Sequence, residues 1–216
     1  MTNIARSFQL DTYLLKYYKK SILFVILIPV IFIFINRSLL SGISFSMTFM
    51  AMASSYTFSI SEKNDMHRLY GILPVSKADL VIGRYLLLLG MGIFTLLVSL
   101  FLDNIALKSL NVAISSQDLL ISGLVGIAFY IFYISFQLPG YYKFGSIRGR
   151  MFMYIPVLGF LLITFLLPGE KIASHLDPRF ISENPMLFII GLFIILLGLY
   201  TISILISIRI LKNKEG

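Results

Sequence analysis

Glu62, Lys63, Asp65, His67 and Arg68 fall within one short stretch of the chain, and Lys77, Asp79 and Arg84 follow beyond Pro74. Carboxylates, an imidazole and cations so close together are the materials of acid–base or metal chemistry. The rest of the sequence does not complete such a site. The other histidine, His175, lies beyond three further long apolar runs, and there is no cysteine to supply a thiolate or a disulfide. No G-x-x-x-x-G-K-[ST] phosphate loop is present either, so the chain lacks the usual means of holding ATP. We therefore assign no catalytic residue, no metal ligand and no cofactor bound by this chain. The charged stretch is expected to dock rather than to react.

The composition sets what must position it. Of 216 residues, 58% are hydrophobic and 13% are charged, about half the charged share of an ordinary soluble domain. That is too little polar side chain to face water, so the solvent is lipid. Six runs approach the roughly 20 apolar residues that cross a bilayer: about 21–40, 42–60, 82–102, 119–138, 151–167 and 186–208. The first two meet in a tight "INRSLLSG" turn. Pro29 and Pro156 are expected to kink spans one and five. The fold expected is an all-α polytopic membrane protein forming one domain over 1–216.

An even number of spans leaves both termini on one side. Placing that side in the cytoplasm puts fourteen of the eighteen basic residues there and leaves Arg37, Lys108, Lys171 and Arg179 outside. Lysine and arginine are retained on the cytoplasmic side, so this split sets the orientation. It also accounts for the net charge of +8 without nucleic acid. Residues 4–20, with Ile4, Phe8, Leu15, Tyr17 and Tyr18 among basic residues, read as an amphipathic helix on the inner lipid surface. Apart from Arg37 near the end of the first span and Arg84 at the start of the third, no acidic, basic or histidine side chain falls within a span, which argues against an ion-coupled transporter.

Within 61–85, Met66, Leu69, Tyr70 and Leu73 repeat at helical spacing, while Lys63, Asp65, His67 and Arg68 take the other faces. Ser76 and Asp79 read as a capping box opening span three. The loop is thus expected to be a short amphipathic helix across the cytoplasmic face, a docking surface for a cytoplasmic protein.

The segment "SEKNDMHRLYGILPVSKADLVIGRY", with the six spans and the N-terminal interfacial helix, resembles the membrane subunits of type-2 ATP-binding-cassette exporters. The second inner segment, "LPGYYKFGSIRGR" (138–150), is similar to a "P…YKFG…R" stretch of their small bacterial members, phenol-soluble modulin exporters among them. The resemblance implies that Glu62, Lys63, Asp65, Met66, His67, Arg68, Leu69, Tyr70 and Leu73 form a coupling helix seated in a groove of a separate ATPase subunit. Lys143, Arg148 and Arg150 would make a second, smaller contact with acidic ATPase residues or lipid phosphates. Two ATPase copies, carrying ATP and magnesium, would drive a pair of permeases in the bacterial cell membrane, either a homodimer or a dimer with a sister subunit. The chain would then be no enzyme itself but part of an ATP-driven translocase.

Span two carries Ser44, Thr48, Ser55 and Ser59 on one helical face, with Met52 close by. Small hydroxyl residues pack membrane helices closely; the alternative is a mildly polar path with flexible thioethers, which the resemblance favours. Gly90, Gly92, Gly123 and Gly126 are expected to be packing contacts. Amphipathic or antimicrobial peptides are the leading cargo, with lipids and small drugs as alternatives. A non-transporting immunity or scaffold protein is the competing class.

Overall fold

A computed structural model describes residues 3–16, 18–64, 66, 75–156, 158 and 185–214. Among these the chain is helical, and four helical stretches are long and apolar enough to cross a membrane: 19–36, 77–109, 116–156 and 189–213. Span five, expected at 151–167, lies outside the described residues beyond residue 158, as do the outer loop 168–185 up to Pro185, Asp65 and most of the expected coupling helix.

Helix α1 (Asn3–Lys16) is followed, after a break, by α2 (Lys19–Leu27). The stretch 4–20, expected as one interfacial helix, is thus divided, with α1 closing at Lys16 and α2 opening at Lys19. Pro29 has no N–H to continue the ladder; α2 ends before it and α3 (Val30–Asn36) restarts after it. Arg37 then adopts a left-handed conformation, φ 49°, which turns the chain into α4 (Leu39–Ala53).

Span two is not one uninterrupted helix. It breaks at Ser54 and resumes as α5 (Ser55–Lys63). Serine and threonine offer the backbone competing hydrogen bonds, and they do so here: the Ser54 carbonyl accepts from Thr57 Oγ1 at 2.8 Å, while the Ser54 N–H is shared between the carbonyls of Met50 and Ala51.

Helix α6 (Lys77–Ser109) opens where expected. The Asp79 N–H donates to Ser76 Oγ at 3.1 Å, and the serine hydroxyl donates to the Asp79 carboxylate at 2.7 Å. The box closes through side chains rather than through the Ser76 backbone. At 33 residues α6 is about 50 Å long, so it overruns span 82–102 at both ends. Helix α7 (Ser116–Gly149) starts at a capping box the sequence reading passed over. The Ser115 N–H donates to Asp118 at 2.9 Å, and Ser115 Oγ accepts from the Gln117 N–H at 3.2 Å. It also continues through "LPGYYKFG", so the segment 138–150 is helix and not loop up to a break at Gly145. A single 3₁₀ turn, Arg150–Met153, follows, and α8 (Pro185–Asn213) ends the chain.

The core lies where α4 meets α6 and α7. Ile33, Ile43, Met47, Leu88, Ile134 and Leu138 are fully buried there. Two of the four expected glycine contacts are tight. A Cβ on Gly126 would stand 2.5 Å from Ile43, and one on Gly92 would overlap the Tyr130 ring; Gly90 faces open space and Gly123 has only ordinary contact. Lipid gives no hydrophobic drive between helices, so polar side chains join them instead, at about 0.6–2 kcal/mol a bond. Tyr85 Oη shares hydrogens with Ser203 Oγ at 2.7 Å and Ser207 Oγ at 2.8 Å. Ser203 in turn donates to the Ser135 carbonyl, and Tyr200 to the Tyr85 carbonyl. These bonds fasten α8 to α6 and α7.

Candidate functional site

Charged residues gather at the end of the bundle that carries α1, the close of α5 and the start of α6. Arg84 sits at their junction, 6% exposed. Its Nε and Nη2 donate to the two carboxylate oxygens of Asp11 at 3.0 Å each, and Nη2 also donates to Ser61 Oγ at 2.9 Å. The guanidinium lies over the Phe58 ring, 4.8 Å from its centre. A forked guanidinium–carboxylate pair of this kind is directional as well as strong. It turns α1 inward: Ser7, Asp11 and Leu15 are its buried side, with Ser7 against Gly83, while Phe8 is exposed. Arg84 is accordingly no plain cytoplasmic anchor. It is buried, its charge is met by Asp11, and the two hold α1, α5 and α6 together.

One residue past Ser61, the Glu62 carboxylate reaches α7. The Ser146 N–H donates to Glu62 Oε1 at 2.6 Å and the Ser146 hydroxyl to Oε2 at 2.5 Å. This is possible because Gly145 has φ 80° and ψ −177°, a conformation open essentially to glycine alone. It ends the regular helix and turns the next N–H towards Glu62. The two charged segments, far apart in sequence, thus meet.

The other expected contact residues divide. Lys63 is exposed and Met66 is buried. Asp65, His67, Arg68, Leu69, Tyr70 and Leu73 lie outside the described residues. Lys143, Arg148 and Arg150 are exposed, Lys143 with its ammonium 5.1 Å from the centre of the Phe144 ring.

Along span two, Ser44, Thr48, Met52 and Ser59 are half-buried and Ser55 is buried. Thr48 Oγ1 donates to the Ser44 carbonyl at 2.8 Å. The opposite side of α4 holds buried Gly42 and Ser46 against the bundle. Two polar groups escaped the sequence reading. Gln137 is fully buried and accepts from Ser54 Oγ at 3.3 Å. It stands as a lone amide in the apolar run "YISFQLPG", and that was the available signal. Asp103 is also fully buried, near Gly42, and neither carboxyl oxygen has a hydrogen-bond partner. It lies one residue past the expected end of span three, and α6 runs on past it.

No curated protein and no solved structure matches the chain. A family model described as ABC-2 family transporter protein matches residues 8–212. The chain belongs to that family. It is an integral membrane protein of permease type, a component distinct from the ATPase, and permeases of the ABC-2 family generally work with an ATP-binding-cassette ATPase partner. The match takes in α1 from Phe8, every described span and both charged segments.

Proposed function

We propose that this ABC-2 permease exports amphipathic or antimicrobial peptides from a bacterial cell, driven by a separate ATPase subunit. The observation that carries the reading is the family match over 8–212 in a chain with no phosphate loop. The permease is recognised across its length, so the energy comes from a partner. The charge asymmetry supports six spans with both termini cytoplasmic. Residues 62–73 form the coupling helix on that side, with Lys143, Arg148 and Arg150 as the second contact. Two such permeases, identical or sister subunits, stand with two ATPase copies. Ser44, Thr48, Met52, Ser55 and Ser59 border the path, with Ser44, Thr48 and Met52, half-buried, leaving a mildly polar strip on a surface otherwise suited to lipid.

The test is reconstitution. The permease alone should hydrolyse no ATP, while with its ATPase it should move an amphipathic peptide into inverted vesicles. Replacing Met66, Leu69 and Tyr70 with Asp should abolish association or transport. A complex that still assembles and transports would remove the docking assignment. Toxin binding without transport would leave an immunity or scaffold protein. Sidedness is read by labelling: a cysteine at exposed Ser76 should resist an impermeant thiol reagent applied to intact cells.

A further inference from the structure

We infer that Glu62 is a positioning residue whose carboxylate latches the Gly145–Ser146 break of α7 to the close of α5, so that the two charged segments move as one body. Three observations carry this. Both carboxylate oxygens are engaged by one residue, through its N–H at 2.6 Å and its hydroxyl at 2.5 Å. Charge-assisted bonds to a backbone N–H and a hydroxyl are among the stronger ones a side chain makes.

The receiving backbone is shaped for the purpose. Gly145 holds φ 80°, and a Cβ there would stand 2.6 Å from Glu62 Oε1. Any other residue would oppose both the backbone and the incoming carboxylate. The latch also has a fixed base. Ser61, beside Glu62, donates to the Thr57 carbonyl at 2.9 Å and accepts from Arg84, which is tied to Asp11. A displacement of the segment beginning at Glu62 is therefore delivered to α7 as well as to span two. The Glu62 side chain, which the resemblance assigns to the coupling helix, engages the permease's own Ser146.

The consequence for transport rests on the proposed function; the latch does not. Because the natural chain has no cysteine, the double variant Glu62→Cys/Ser146→Cys carries the only two thiols. In the permease alone, a short reversible bis-thiosulfonate reagent should bridge them in membranes. In the complex with its ATPase, peptide transport by the unbridged double variant should fall about tenfold, the size expected for losing a charged hydrogen-bonded pair. Bridging should restore transport to at least half that of the parent, and reductant should remove it again. A merely structural role would lower assembly and hydrolysis together and would not be rescued. Glu62→Gln, which keeps one acceptor oxygen, should lose only about two- to threefold.

Failure to bridge would overturn the latch. So would undiminished transport before bridging, or a bridge that blocks transport, since the contact would then have to open. Bridging in a permease that no ATPase drives would leave the latch standing and remove the proposed function instead.

Discussion

The two ends of the bundle treat carboxylates in opposite ways. At the α1 end, Asp11 is met by a forked guanidinium and Glu62 by a hydroxyl and a backbone N–H. Towards the other end, Asp103 is as deeply buried as Asp11, yet both its oxygens lack a partner. Charge in lipid or a packed core is costly unless paired and hydrogen-bonded. The first end therefore uses its polar groups to fix elements relative to one another. The second carries an uncompensated polar group between α4 and α6, and there the seam gains nothing from it.

The largest expected effect breaks the paired end. Arg84→Met leaves Asp11 buried without its cation, a loss of about 3–5 kcal/mol, read as a fall in the detergent-solubilised melting temperature on the order of 10 °C. Adding Asp11→Leu to it should recover part of the loss; a double variant no better than the single would mean that the pair does not hold α1.

Next come the hydroxyl positions of span two, which burial now separates. Ser55→Phe overfills a buried site and should cost about 1–3 kcal/mol with export falling in step. Thr48→Phe, on the half-buried side, should cut export severalfold while the melting temperature stays put. Equal loss of fold and export at Thr48 would assign this face to packing rather than to a path.

Gly145→Ala should cost about 1–3 kcal/mol, since the required backbone is closed to a Cβ. Urea or thermal titration of the purified permease checks it. An unchanged transition would mean that the break tolerates an ordinary residue.

The smallest effect has the opposite sign and sharpens the comparison most. Asp103→Asn replaces a buried carboxyl group that has no hydrogen-bond partner and should stabilise by about 1 kcal/mol, a rise of about 2–4 °C. Asp11→Asn, the same chemical change at the other end, should destabilise. Two shifts of like sign would erase the distinction between the ends.

The family's outline was legible in the residues because lipid imposes it. Apolar runs of the right length give spans, and the lopsided lysines and arginines give an expected sidedness. Pro29 marks a break because it lacks an N–H, and Ser76 marks a helix start because its hydroxyl can take the Asp79 N–H. These are local or compositional facts. What the chain could not announce depends on which residues meet. Arg84 counts as a loop cation until Asp11 is found against it, 73 positions away. Glu62 counts as a docking residue until Ser146 is found beneath it, 84 positions away. The stretch 138–150 looks like a loop because Pro139, three glycines and its charges all suggest one, yet the helix runs on to the φ at Gly145 that only glycine allows. Spacing along one helix can be read from sequence, but a partner brought by another helix is decided by packing, and the tertiary structure alone supplied it.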